Sequence, residues 1–296
     1  MTPFQTTPLH GRFGVELHAA RIAEIIRDGR FPMLRDLFEH HSLLLLRNQG
    51  LSDEDHMALG RLFGPIEDRK ADERKPGEGA EVSVMSNLTA DGTVTDEMDL
   101  QTLNLKSNML WHTDSTFMPV PALTNILTSR VTTSTGGATE FTSTRAALHD
   151  MPADQRAGLE DALLWHRFSH SRARISRELA ALPQFNKWPD QLWPAVWRNP
   201  VTGEASLYIA SHCYRIDGMD EDASAPIIDA AIAWCTQPHY VYRHEWQVGD
   251  VLIWDERAIL HRGTPWPYEE PRVLSSICVS MLPEDGLQAA RAMAGR

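Results

Sequence analysis

The segment Trp111-His112-Thr113-Asp114-Ser115 sets an imidazole and a carboxylate two residues apart. Along an extended chain the side-chain period is two, so His112 and Asp114 project from one face. Side by side they supply two of the three donors of a two-histidine, one-carboxylate site for non-haem Fe(II), which leaves positions open for exogenous ligands. Spacing alone does not decide the matter, because a structural His–Asp hydrogen bond is the commoner origin of such a triplet. A third donor favours the metal reading. Ile259-Leu260-His261-Arg262-Gly263 places a histidine at the end of an apolar strand, before a glycine turn. That is where a pocket in a small barrel needs its polar residues. Taken singly, His261 reads as a satisfied core histidine.

Arg272 stands at the entrance of another apolar strand, with Val273, Leu274, Ile277 and Val279 following. An unpaired buried charge is costly, so this guanidinium needs an anion. Its planar fork matches a carboxylate held by two bonds. The anion is either one of the chain's 40 acidic residues or the far end of a bound dicarboxylate.

The elements that must carry these residues are legible in outline. Apolar residues at helical spacing predict helices around Ile22, Ile25 and Ile26 and around Leu34, Leu37 and Phe38, the second starting near Pro32. Ser42 to Arg47 is too short for a free helix and predicts a buried strand. Ser52, with an acid three residues on, opens a helix through Leu62 that stops near Gly64-Pro65. From Glu67 to Leu105 the chain is polar and punctuated, broken by one candidate strand at Val82–Ser86. A loop of that length in a compact fold predicts either a mobile lid at about 67–105 or a solvated excursion. Later come candidate strands at Ala122–Val131, Thr139–Phe141, Tyr240–Arg243, Val251–Trp254, Ala258–His261 and Val273–Met281. Helices are expected at Thr144–Leu148, Pro152–Leu163 and Pro226–Trp234, and irregular chain over the proline-rich 170–202. Early helices and late strands predict a mainly β fold with peripheral helices, a sandwich or barrel in a single domain over 1–296.

Composition excludes several classes. With 28 Lys+Arg against 40 Asp+Glu the formal net charge is −12, which argues against nucleic-acid phosphates or anionic lipid as the main partner. No apolar run approaches the roughly 20 residues of a membrane span. Met1 to Gln5 lacks the basic start and apolar stretch of a secretory leader, so a cytoplasmic location is expected. Three cysteines without CxxC spacing make neither a disulfide framework nor a zinc knuckle.

Over nearly its whole length the chain resembles the taurine/2,4-dichlorophenoxyacetate dioxygenase family of Fe(II)- and 2-oxoglutarate-dependent oxygenases. The residues that carry the resemblance are Phe63-Gly64-Pro65, Asn108 ahead of Trp111-His112-Thr113-Asp114, and Ser134-Thr135-Gly136-Gly137-Ala138-Thr139-Glu140-Phe141. Val248-Gly249-Asp250-Val251-Leu252-Ile253-Trp254-Asp255 running into His261-Arg262-Gly263 completes the order. Ser86-Asn87-Leu88 and Tyr208-Ile209-Ala210-Ser211-His212 are more similar to the herbicide-degrading branch than to the taurine branch.

The resemblance implies a double-stranded β-helix of jelly-roll, cupin-like shape holding iron between two sheets. It implies His112, Asp114 and His261 as iron ligands. Arg272 would pair with the distal carboxylate of 2-oxoglutarate, and Thr139, locally an ordinary turn threonine, would hydrogen-bond it. Asn108 and His212 fall at positions that line the substrate pocket. The implied reaction uses 2-oxoglutarate and O₂ to hydroxylate a C–H bond of a small molecule, releasing succinate and CO₂. On an aryloxyalkanoate this cleaves the ether. Retention of Asp114 fits hydroxylation rather than halogenation. A homo-oligomer is also implied. A second arginine is usual in the family four residues after Arg272, but here the residue is Ser276. Arg215, Arg243, Arg69 and Lys70 are the candidate substitutes. The same chemistry on a sulfonate, an amino acid derivative or a neutral aromatic or natural product is therefore an alternative. A non-catalytic, cupin-like metal-binding sensor is the alternative of a different class; it would need the triad but not Arg272 and Thr139.

Overall fold

The computed structural model describes residues 3–75 and 77–295. Met1 and Thr2, part of the Met1–Gln5 stretch considered for a leader, lie outside the described residues, as do Pro76 of the polar loop and Arg296. A seven-stranded sheet runs in the order Gln5–Pro8, Val15–His18, Leu43–Leu46, Val251–Asp255, Ala122–Val131, Val273–Ser280, Ser83–Ser86. All its pairings are antiparallel except Val15–His18 with Leu43–Leu46. A smaller antiparallel sheet, Val241–His244, Thr139–Ser143 and Ile259–Gly263, packs against it. The architecture is mainly sheet with peripheral helices, and the sheets do not close into a barrel.

The Leu43–Leu46 run shows why the large sheet sits where it does. All four leucines are fully buried, and alternation sends them two ways. Leu44 and Leu46 meet Ile25, Leu34, Phe38 and Leu59 of the early helices, while Leu43 and Leu45 meet Phe141, Ile259 and Trp254 between the two sheets. A strand covered on both faces reads as a continuous apolar run. Each such leucine stabilises the fold by roughly 1.5–3 kcal/mol.

Several expectations hold. Helices occupy Ile22–Arg27, Phe31–His41 and Asp53–Phe63. Ser52 Oγ caps the third by accepting the Asp55 N–H at 3.1 Å. The candidate strand in the polar segment is real, and Ser83–Ser86 pairs with Val273–Ser276.

Others need correction. The segment 67–105 is not all loop, since the helix Leu100–Ser107 begins inside it, capped by Asp99. The helix expected over Pro152–Leu163 is only Ala153–Ala157. Leu163–His166 is instead a strand, paired with Gln191–Pro194 and Cys213–Ile216. The helix expected from Pro226 begins at Glu221, where Asp220 caps the Ala223 N–H at 2.7 Å. The stretch 170–202 holds regular structure, with Phe168–Ala173, Arg177–Ala181, Gln191–Pro194 and Val196–Arg198. In each case a long-range pairing or a cap overrides local propensity. Among the described residues no helix is long and apolar enough to cross a membrane.

Candidate metal centre and its cavity

His261 lies on the strand Ile259–Gly263 opposite Phe141 of Thr139–Ser143. On its other side it meets His112 through an isolated antiparallel bridge. The His112 N–H donates to the His261 carbonyl at 3.0 Å, and the His261 N–H donates back at 2.8 Å. Residues paired in this way hold their side chains next to each other, and the two rings are 4.2 Å apart.

Asp114 joins them, though not by the expected strand alternation. The chain turns after His112, and Ser115 takes a left-handed φ of 59°. Glu256 holds the turn: its Oε2 accepts the Asp114 N–H at 2.8 Å and the Thr113 hydroxyl at 2.6 Å. Burial, together with the Asp114 charge nearby, pushes the Glu256 carboxyl well above its ordinary range.

Ligand-type atoms of His112, Asp114 and His261 all lie within 4.8 Å of one another. The Asp114 oxygens are 3.8 Å from His112 Nε2 and 3.9 Å from His261 Nε2, too long for hydrogen bonds. The three are therefore not a self-satisfied network. Nδ1 of His112 lies 2.7 Å from the Leu110 carbonyl; donation there assigns the proton to Nδ1 and leaves the Nε2 lone pair free. Burial lowers both imidazole pKa values against the pull of Asp114, that of His261 to about 3. Burial raises the Asp114 carboxyl, but His261, His112, Arg69 and Asn125 outweigh it and hold it well below the usual carboxylate range. Two neutral imidazoles and one carboxylate form the donor set that suits a divalent iron.

A support that sequence reading missed stands behind Asp114. Asn125 Nδ2 donates to Asp114 Oδ2 at 2.7 Å, and Asn125 Oδ1 accepts the Ser276 hydroxyl at 2.8 Å. Ser276 is thus tied into the positioning of the carboxylate. Nothing local marked Asn125, which stands in a strand that also carries Thr124, Thr128, Ser129 and Arg130.

Arg272 and Thr139 sit on the same cavity. Among the described residues Arg272 makes no ion pair. Its Nη2 donates to the Gly137 carbonyl at 2.9 Å, and the guanidinium lies over Trp266 at 5.0 Å. Burial lowers its pKa to about 10. Gly137, at φ +67°, leaves room for this side chain, because a Cβ there would stand 3.0 Å from Arg272 Nε. Thr139 Oγ1 accepts from Trp246 Nε1 at 2.9 Å, which leaves its own hydrogen free to donate.

The cavity measures about 550 Å³ and is also lined by Asn108, His212, Arg69, Lys70, Phe117, Phe168 and Arg172, a size suited to small ligands. Asn108 and His212 are both on its wall. Arg215 and Arg243 do not line it: Arg243 pairs with Glu140 and Glu245, and Arg215 stacks on Trp165. Arg69 is matched by Glu67 and donates to Ser115 Oγ at 2.8 Å. Arg172 was not expected here. Burial lowers its pKa to about 9, with repulsion from Arg69 adding and attraction from Asp114 opposing.

The sequence pattern of the family described as "Taurine catabolism dioxygenase TauD, TfdA family" matches residues 5–278. The chain is 31% identical over 283 residues to the (S)-phenoxypropionate/alpha-ketoglutarate-dioxygenase of Sphingobium herbicidovorans, covering 93% of this chain and 94% of that one. It is 30% identical to the alpha-ketoglutarate-dependent 2,4-dichlorophenoxyacetate dioxygenase of Cupriavidus pinatubonensis, over 90% of this chain and 94% of that one. In three dimensions it matches AAD-2, solved in complex with Mn(II) and N-oxalylglycine, with a TM-score of 0.88 at 26% identity. That match covers 95% of this chain and 99% of AAD-2.

Proposed function

The chain belongs to the TauD, TfdA family and is an Fe(II)- and 2-oxoglutarate-dependent dioxygenase, and from that premise we propose that it hydroxylates an aryloxyalkanoate and so cleaves its ether bond. The observation that carries the assignment of the site is the meeting of His112, Asp114 and His261 on one cavity with Arg272, which makes no ion pair among the described residues. A non-catalytic sensor has no need of the fourth residue.

In this reading His112, Asp114 and His261 hold the iron. Bound there with 2-oxoglutarate and O₂, Fe(II) supplies the chemistry that turns a C–H bond into C–OH while 2-oxoglutarate becomes succinate and CO₂. The protein contributes position. The Arg272 fork takes the distal carboxylate of 2-oxoglutarate, a charge-assisted contact roughly twice as strong as a neutral one. Thr139 donates to the same carboxylate, oriented by the Trp246 N–H that it already accepts. Asn125, itself held by the Ser276 hydroxyl, fixes Asp114 Oδ2. The substrate occupies the remaining cavity beside Asn108 and His212. Hydroxylation of the carbon between ether oxygen and carboxylate gives a hemiacetal. Its C–O bond breaks to release the phenol and, from an aryloxyacetate, glyoxylate.

The segment 67–105 forms part of the cavity wall through Glu67–Lys70 and Ser83–Ser86, which supports its role as a lid that excludes water during turnover. The single-domain organisation, the cytoplasmic location and a homo-oligomeric assembly belong to the same proposal. The acidic balance supports a small molecule rather than nucleic acid or membrane as partner. The test is consumption of aryloxyalkanoates against sulfonates and neutral aromatics, with succinate counted against substrate loss. Turnover of a neutral aromatic in preference to every acid would replace the proposed substrate class.

A further inference from the structure

Two guanidinium groups on the cavity, Arg272 and Arg172, make no ion pair among the described residues. Arg272 is accounted for by the distal carboxylate of 2-oxoglutarate. Arg172 is left over, and it is the more deeply set of the two, with 7% of its surface exposed. The short helix Phe168–Ala173 carries it inward, where the guanidinium lies 4.4 Å from the Phe168 ring centre and 5.2 Å from that of Phe185. Its Nη1 donates to Ser171 Oγ at 3.0 Å and lies 3.5 Å from His212 Nε2. Its Nε is buried without a partner.

His212 repeats the pattern. Facing an N–H of Arg172, its Nε2 is the acceptor, and the proton is thereby assigned to Nδ1. That nitrogen is also buried and unpartnered. Two adjacent buried donors without acceptors, one of them cationic, are rarely left so in a folded protein. Both residues line the cavity, where an anionic ligand can meet the Arg172 guanidinium. The pair stands close to the metal triad, since the His212 ring is 6.2 Å from that of His112. On the same side, Phe117 and Phe168 stack at 3.7 Å and present an apolar face to the cavity.

We propose that Arg172, beside His212, anchors the anionic group of the substrate, taking over the task of the arginine that Ser276 replaces. The proposal rests on the aryloxyalkanoate reading and narrows it. The substrate is a monoanionic acid whose charged group sits near the iron and whose apolar body runs along Phe117. The other two cavity arginines are committed elsewhere, Arg69 to Glu67 and Ser115 and Arg74 to Asp68. Serine at 276 is then no loss of specificity. The cation has moved from the sheet to a helix across the cavity.

The experiment is steady-state succinate formation by the Fe(II)-loaded protein with phenoxyacetate, 2-phenoxypropionate and the neutral isostere phenoxyacetamide. Wild type is expected to favour acid over amide by roughly 100-fold in kcat/KM, because an amide cannot complete the charge-assisted fork. Arg172→Gln should raise KM for the acids by about 100-fold and collapse the acid-to-amide ratio, while KM for 2-oxoglutarate stays within about twofold. Arg172→Lys, which keeps charge and bulk but loses the fork, should fall between, at about tenfold. It carries the test if the glutamine variant does not fold. Arg69→Gln should leave the ratio in place. Folded Arg172 variants with wild-type KM for the acids and an unchanged ratio would overturn the anchor and leave the aryloxyalkanoate reading standing. Failure of every acid to stimulate the wild-type protein would overturn that reading, and the anchor with it.

Discussion

His112 and His261, far apart in the chain, are partners in an antiparallel bridge, each donating its backbone N–H to the other's carbonyl. Two of the three proposed iron ligands are therefore set by sheet geometry rather than by loops, which fixes their separation before any metal arrives. Asp114 is the ligand held less directly. Its backbone hangs on Glu256 and its carboxylate on Asn125. The consequences can be measured.

Asn125→Ala removes the amide that donates to Asp114 Oδ2 and strands the Ser276 hydroxyl. Iron affinity, measured by competition with a chelator, should fall 10- to 100-fold, as is typical when the partner of a metal ligand is lost. Ser276→Ala should give a smaller loss in the same direction. Unchanged affinity in Asn125→Ala would mean that Glu256 and the Cys278 thiol, 3.7 Å from Asp114 Oδ2, suffice to position Asp114.

Gly137→Ala puts a methyl group 3.0 Å from Arg272 Nε at a φ of +67°. The guanidinium must shift, so KM for 2-oxoglutarate should rise by roughly tenfold or more, and the left-handed backbone should cost about 1–2 kcal/mol of stability. Titration with 2-oxoglutarate under anaerobic conditions checks the first effect separately from the second. Wild-type affinity for 2-oxoglutarate in this variant would argue against Arg272 as its anchor.

Acid should destabilise the fold through two histidines far from the proposed iron ligands in sequence. Burial lowers His56 to about 4, against its bond to the Ile126 carbonyl, and lowers His166 to about 3, with repulsion from His170 adding. Both folded values lie below the unfolded value of about 6.5. The unfolded chain therefore binds more protons in the window between. The stability these groups contribute is complete above about pH 6.5 and is lost as pH falls toward 4 and then 3. The slope is at most about 1.4 kcal/mol per pH unit for each histidine. Urea unfolding at pH 7.5 and pH 5.0 should show the loss, and His166→Leu should reduce it; an equal loss in that variant would remove His166 from the account.

Hydrogen exchange reports on the lid. If 67–105 closes over the cavity, its amides should gain protection when Fe(II), 2-oxoglutarate and an acid substrate are added together under nitrogen. Exchange there that is identical with and without ligands would leave the segment as a fixed wall.

The parts of the site that announce themselves in sequence are those whose residue type and local pattern coincide. His112-x-Asp114, His261 at a strand end and Arg272 at a strand entrance are of this kind, as is the Gly136-Gly137 turn, whose purpose the passage of Arg272 makes plain. The strand Leu43–Leu46 was visible because burial on both faces leaves an unbroken apolar run. Arg172 was not visible. It sits in His170-Ser171-Arg172-Ala173-Arg174, a basic run that looks like solvated surface, on a helix of six residues within a proline-rich stretch. What turns it inward is the packing of Phe168, Leu179 and Phe185 with Phe117, a long-range contact with no local periodicity. Asn125 was hidden for the opposite reason, as one polar residue among buried strand neighbours with its partners far along the chain. The strand at Leu163–His166 was mistaken for the end of a helix because its pairing partners lie at 191–194 and 213–216.

In the proposed enzyme His112, Asp114 and His261 hold the iron, and the second substrate is an aryloxyalkanoate. The measurement that tests this most directly is succinate formation from 2-oxoglutarate and O₂, run with iron content determined on the same samples, for wild type and His261→Ala. Phenoxyacetate and 2-phenoxypropionate should stimulate succinate in wild type, one equivalent for each equivalent of phenol released, while His261→Ala should lose both the iron and the activity. A His261→Ala protein that keeps its iron and still couples succinate to phenol release would contradict the account at its centre.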